Sequence, residues 1–208
     1  MKNPWLNIPY SDYENHMSDI GQLQLLSKLT KYCLEKYKPQ TFAMLGCAGG
    51  NGLEHIDCSS DIAVYAIDIN PDYLEIAQSR FGNCIKCLHT INIDIERDEL
   101  AINNIDLFFL GLILEYVAPY KTLSKVINTL KQNGTIAIII QENKQTTFVS
   151  STRYKSLEQL SDIAKDVDEQ EINRYLHTHN FEQVNRQVLE LTENKSFILL
   201  EYTRKSSD

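Results

Sequence analysis

The 208-residue sequence is short of basic side chains: 20 Lys and Arg stand against 28 Asp and Glu, a formal net charge of −8. Neutralising a phosphate backbone takes a basic face, so broad, non-specific nucleic-acid binding is disfavoured. The deficit is not confined to one end. Residues 1–104 hold 8 basic and 14 acidic side chains and the remainder hold 12 and 14, so neither half is a basic tail. Long apolar runs are missing too. The longest, Leu107–Leu114 counting Gly111, falls far short of the roughly 20 residues a membrane helix needs, and no membrane association is expected. The opening MKNPWLNIPYSDYENH lacks the apolar core of a secretory signal. The five cysteines (Cys33, Cys47, Cys58, Cys84 and Cys87) are an odd number and too sparse for a disulfide scaffold. The expectation is a cytoplasmic protein with reduced thiols. One C-x-x-C, Cys84-Ile85-Lys86-Cys87 with His89 nearby, supplies half of the paired clusters a structural zinc requires, so no metal site is expected.

Repeats and low-complexity linkers are absent as well, and what remains is a regular alternation of element types. Residues 41–46, 62–67, 85–93, 105–110 and 135–140 are nearly continuous in apolar or β-branched residues, as strands covered on both faces should be. Helices are expected between them at 50–57, 71–81 and 119–131. Asn70 and Pro71 are suited to N-cap and first helical position, and Asn133-Gly134 reads as a helix stop before the fifth strand. Upstream, a helix over Gly21–Tyr37 gathers Leu23, Leu26, Leu29, Cys33 and Tyr37 into one stripe. Downstream, a helix over Asp168–His179 precedes strands at Glu182–Leu191 and Ser196–Thr203, joined by a Glu-Asn-Lys turn. The pattern predicts a three-layer α/β sandwich on a mostly parallel sheet, closed by an antiparallel C-terminal hairpin.

Three segments at the ends of successive strands carry the chemistry. Met44-Leu45-Gly46-Cys47-Ala48-Gly49-Gly50-Asn51-Gly52 follows the first strand. Four glycines in seven residues let the backbone approach a ligand and leave N–H groups free for its polar atoms. Asp68 ends the second strand, beside the crevice where open α/β sheets bind ligands, and can accept both hydroxyl hydrogens of a ribose. Asn70 and Asp72 are better placed as helix caps. Asp94, in Asn92-Ile93-Asp94-Ile95-Glu96 after the third strand, can accept from an exocyclic amine while Ile95 offers a flat apolar face to a ring. Together these make one site for one nucleoside. A nicotinamide dinucleotide also uses a glycine loop and an acid some 20 residues on, and Asp68 lies 22 positions after Gly46; but G-x-x-G-G-x-G does not supply G-x-G-x-x-G.

With these motifs the chain resembles the class I S-adenosylmethionine-dependent methyltransferases over about residues 41–141. FAMLGCAGGNG resembles the glycine motif and VYAIDINPDYLEIA the ribose-binding strand and its helix. NIDIE is similar to the adenine-side motif, IDLFFLGLILEYV to the fourth strand and its substrate-facing loop, and LKQNGTIAIII to the approach to strand five. The resemblance implies a Rossmann-like seven-stranded fold, an N-terminal helical lid over residues 1–38 and a cofactor domain over 39–208. It implies S-adenosylmethionine as cofactor, its methionine part lined by Gly46, Ala48 and Gly50. The ribose would fall to Asp68, the adenine to Asp94 and Ile95, and the pocket wall to Leu110, with Tyr13, Cys47 and Ile69 also binding the cofactor. The family pattern usually has an acid where this chain has Met44 and a glycine where it has Ala48.

Methyl transfer is an in-line displacement at a sulfonium carbon, so alignment and water exclusion carry most of the rate. A base is needed only where the acceptor must first lose a proton. The candidates are Glu115 and Tyr116 after the fourth strand and His16 in the lid segment Tyr10–Met17; His55, His177 and His179 read as structural. No N-P-P-Y segment or Pro-Cys pair follows the fourth strand, which with the acidic charge disfavours a nucleic-acid acceptor and leaves a small molecule. Residues 145–166 would wall the acceptor pocket, with Arg153 and Tyr154 meeting the substrate and Arg153 hinting at an anion. A protein that binds the nucleoside without turnover is the alternative.

Overall fold

The computed structural model describes residues 3–144 and 146–205. Residues 1–2 and 206–208 of the two expected units, and Gln145 at the head of the expected acceptor wall, lie outside the described residues.

Seven strands form one sheet: β1 (Thr41–Leu45), β2 (Ala63–Asp68), β3 (Cys87–Asn92), β4 (Ile105–Gly111), β5 (Leu130–Asn143), β6 (Phe181–Thr192) and β7 (Lys195–Arg204). Their order is β3-β2-β1-β4-β5-β7-β6. The first five pair in parallel, and β7 runs antiparallel to both β5 and β6, so the hairpin closes the sheet by reversing one strand. The helices are α1 (Tyr10–Asp19), α2 (Gln22–Tyr37), α3 (Pro71–Phe81), α4 (Pro119–Thr129) and α5 (Glu169–Thr178).

Alternation along each strand sends neighbours to opposite faces. Ala43, Leu45, Ile67, Phe108 and Leu110 pack in one layer with Leu123 and Val126 of α4 and Ile172 and Leu176 of α5. Phe42, Met44, Val64, Leu107 and Phe109 pack in the other with Leu26, Leu29 and Cys33 of α2 and Leu74 and Phe81 of α3. Asn70 caps α3 by accepting from Asp72 N at 3.0 Å, and Asp168 caps α5 by accepting from Gln170 N at 2.8 Å. The stripe on α2 and the hairpin are where the sequence puts them.

Three local expectations fail. The helix expected at 50–57 is a series of turns with one 3₁₀ turn at Leu53–His55. Gly52 has φ +100°, and a Cβ there would sit 2.6 Å from Cβ of Thr30 on α2; the loop is shaped for close approach to α2 rather than for helix. Asn133-Gly134 does not stop α4, which ends at Thr129. Leu130 already pairs with Ile105, Thr135 with Leu107, and residues 131–134 are the irregularity between them. Finally, Cys84 precedes β3 and is joined to Cys58 across 4.7 Å between Cα atoms, where reduced thiols were expected; Cys33, Cys47 and Cys87 are free. This pairs the loop after the glycine segment with the turn after α3, a contact that no spacing in the chain announces.

Candidate active site

The carboxyl ends of β1, β2 and β4 open onto a cavity of about 1090 Å³ of empty space, part of it facing solvent. A lone loop does not make it: the ends of three strands, the N-terminal segment and the stretch after β5 all contribute to its lining.

At the nucleoside end, Gly46 N and Cys47 N both donate to Ile67 O, at 2.8 and 3.1 Å, which ties the glycine loop to β2. Asp68 is buried beneath it. Its Oδ2 accepts from Ala48 N and its Oδ1 from Asn70 N, both at 2.9 Å. Burial pushes this carboxyl up to about 6, against the pull of the backbone N–H groups of Asn70, Ala48 and Ile69. Above that pH it is a carboxylate with lone pairs left for further donors. Ala48 holds φ +46°, the left-handed region in which the family's glycine is at ease. Its N–H is thereby turned onto Asp68. Met44, at the position of the family's acid, is buried in the layer with α2 and does not line the cavity. Asp94, half-buried, accepts from Glu96 N at 3.1 Å and has Arg97 Nε at 3.4 Å. Asp94, Ile95 and Ile69 line the same cavity as Gly46, Ala48 and Asp68.

The N-terminal segment roofs it. Tyr10 donates to Glu14 Oε1 at 2.8 Å and accepts from Arg80 Nη1 at 2.7 Å, and the same Nη1 donates to Gly49 O at 3.0 Å. A Cβ on Gly49 would lie 2.2 Å from the Tyr10 hydroxyl, so glycine here admits α1 onto the loop. Asn70 Nδ2 donates to Trp5 O at 2.9 Å and Tyr73 donates to Ile8 O at 3.0 Å. Tyr13, His16 and Met17 of α1 reach the lining.

The expected site residues do not all come together. Tyr13, His16, Gly46, Ala48, Asp68, Ile69, Asp94, Ile95 and Tyr116 line the cavity. Leu110, expected at the wall, points instead into the layer with α4 and is fully buried; β4 runs one residue past it, and Gly111, Leu112 and Ile113 form the wall. Leu112 holds φ +55°, a conformation that costs a leucine of order 1 kcal/mol or more and that concentrates at functional sites. Cys47 and Gly50 back the loop without lining the cavity, with Gly50 seated on Phe81. Glu115 is wholly buried outside the lining, and its Oε1 accepts from Gln141 N at 2.8 Å. Arg153 and Tyr154 bond each other away from the cavity. Phe148, Leu157 and Leu160, from the stretch expected as the acceptor wall, complete the far end with Trp5, Ile20, Gln22 and Gln141, which were not singled out.

His16, buried, holds its Nδ1 2.8 Å from Thr152 Oγ1. Burial first, and the Lys195 charge second, lower its affinity for a proton, so the ring is neutral and basic at pH 7. Burial drives the Tyr116 phenol well above its ordinary range, with the Glu115 charge adding to it. Tyr116 therefore keeps its phenol proton at pH 7.

A glycine loop, a buried acid at the end of β2 and a second acid after β3 all meet on one cavity of a seven-stranded Rossmann-like sheet with a reversed strand. A family model for a methyltransferase domain matches residues 43–138, the stretch that carries these features. That stretch of the chain is a methyltransferase domain. Solved structures share the fold at low identity. The plantazolicin methyltransferase BpumL, in complex with SAH, aligns over 94% of this chain and 90% of its own at 12% identity and TM-score 0.68. The geranyl diphosphate C-methyltransferase of Streptomyces coelicolor A3(2) aligns over 79% and 69% at 10% identity and TM-score 0.61. The [4+2]-cyclase SpnF aligns over 88% and 82% at 11% identity and TM-score 0.68. No curated protein matches the chain in sequence. The residues present fit the S-adenosylmethionine that such a domain implies: Asp68 keeps lone pairs open toward a cavity that the glycine loop floors. Among the described residues no His, Cys, Asp and Glu cluster could hold a metal, and no helix is long and apolar enough to cross a membrane.

Proposed function

We propose that the protein methylates a small molecule bound between its cofactor site and its N-terminal segment, by in-line transfer. The observation that carries this reading is that the nucleoside end (Asp68, Asp94, Ile95) and a closed, largely apolar end share one cavity. The bound cofactor supplies a methyl group on a sulfonium. Asp68 would accept from the ribose hydroxyls, Asp94 and Ile95 would meet the adenine, and Gly46, Ala48 and Tyr13 would surround the methionine part. The roof formed by Trp5, Tyr13 and Met17 excludes water and holds the acceptor in line. His16 is the base we assign where the acceptor must lose a proton, with Tyr116 orienting it. Burial of Glu115 away from the cavity argues against its serving as that base.

Residues 1–38 act in this reading as a lid on the domain formed by 39–208. We place the protein in the cytoplasm, where the Cys58–Cys84 pair, with Cys58 exposed, is open to reduction. The test is incubation with methyl-labelled cofactor and a broad mixture of metabolites. Label in an extractable small-molecule product is expected; label in none across a broad library would leave a binding protein without turnover.

A further inference from the structure

At the apolar end of the cavity two side-chain amides, Gln22 and Gln141, are fixed in orientation by their hydrogen bonds. Gln141 Nε2 donates to Asn143 Oδ1 at 2.8 Å and to Phe148 O at 2.9 Å. A backbone carbonyl can only accept, so the orientation of the Gln141 amide is fixed. Its Oε1 must then face Gln22, which meets it with Nε2 at 2.6 Å. The Gln22 amide is thereby fixed in turn. Gln22 is 6% exposed and lines the cavity, and its Oε1 accepts from no described donor. Glu115 holds this chain of amides from behind, through Gln141 N.

The surroundings of that oxygen are apolar and aromatic. Trp5 meets Tyr116 edge-on at 5.0 Å and Tyr116 meets Phe148 edge-on at 6.0 Å, while Leu157 and Leu160 lie in the same cluster. The acids that line the cavity, Asp68, Asp94 and Glu96, belong to the nucleoside end, and among the described residues no Lys or Arg lines it. Arg153, the one hint of an anionic acceptor, is spent on Tyr154. Apart from Tyr116, these walls come from segments outside residues 43–138.

We infer that the acceptor is an uncharged, largely apolar molecule with a hydroxyl or amine hydrogen, which it donates to Gln22 Oε1. This rests on the methyltransferase reading of the same cavity and names its substrate class. A ligand without such a hydrogen leaves a buried carbonyl unpaired, and should bind about 10- to 100-fold more weakly. A phosphate ester would bring charge into an apolar wall that no described Lys or Arg lines, the nearby Lys195 ammonium being held by Phe148 O at 2.7 Å.

The single tryptophan of the chain is Trp5, so its fluorescence reports occupancy of this end directly. The full chain, saturated with S-adenosylhomocysteine, is titrated with menthol, borneol and decanol, and with the methyl ether and phosphate monoester of each. The expected result is that at least one alcohol binds about 10- to 100-fold tighter than its ether, that its phosphate ester binds more weakly still, and that Gln22→Met erases the difference between alcohol and ether. Calorimetry of S-adenosylhomocysteine on the same samples shows whether the variant is folded and whether the cofactor site works. If that ligand fails to bind the parent protein, the methyltransferase reading falls. If it binds and no alcohol outcompetes its ether, or a phosphate ester binds best, this inference alone is overturned. Should Gln22→Met fail to fold, the parent protein gives the decision: an alcohol that binds about 10- to 100-fold tighter than its ether supports the inference, and equal binding overturns it.

Discussion

Replacing Glu115 by glutamine should change how stability depends on pH. The side chain is wholly buried, and burial raises its carboxyl from the ordinary 4.5 to about 7, with Gln141 N pulling the other way. The folded chain therefore keeps this proton up to pH 7, whereas the unfolded chain gives it up near 4.5. Stabilisation by the protonated acid is complete below 4.5 and is lost as pH rises through 7. A raise of about 2.5 units at about 1.4 kcal/mol each gives roughly 3 kcal/mol between the two limits. Glutamine keeps an oxygen for Gln141 N and has no proton to lose. Its extra N–H adds a cost that does not vary with pH. Asp68 also has a raised pKa, but it is present in both proteins and cancels. Melting temperatures measured from pH 4.5 to 8 should thus favour Glu115→Gln increasingly, by about 6–12 °C more at pH 8 than at pH 4.5, at 2–4 °C per kcal/mol for a chain of this size. A difference that stays constant across that range would refute the reasoning.

Two further outcomes follow from contacts around the roof. Gly49→Ala should cost about 1–3 kcal/mol, because its Cβ needs the space of the Tyr10 ring. Thermal melts should show it, with S-adenosylhomocysteine affinity falling in parallel as α1 lifts; an unchanged melt would mean that α1 does not rest on the loop. His16→Ala should lower turnover of a proton-bearing acceptor about 10²–10⁴-fold. The parent's kcat/KM should fall as pH drops below the ordinary imidazole range, since burial lowers the pKa of this ring; an acid limb that survives in the variant would exclude His16 as the base.

Most of the sheet was legible because strands buried on both faces read as apolar runs, and the glycine loop, Asp68 and Asp94 stand at three successive strand ends. What escaped was set by single-residue register and by irregular backbone. One further residue in β4 turns Leu110 into the core and gives its place to Gly111–Ile113. Glu115 looked available because sequence places it after a strand, while a 3₁₀ turn buries it behind Gln141. Trp5 and Phe148 lie in the stretches expected as lid and acceptor wall, but without periodicity nothing marked these particular side chains. Gln22 belonged only to the expected lid stretch; its fixed orientation comes from Gln141, 119 positions away.

The most direct measurement is calorimetric binding of S-adenosylhomocysteine at pH 7.5 to the parent protein and to Asp68→Ala. At that pH Asp68 is ionised, and two charge-assisted bonds to ribose hydroxyls are worth about 1.5–3 kcal/mol each. The account expects one site per chain and a loss of about 100-fold or more in the variant. No binding to the parent, or equal binding to both, would contradict it.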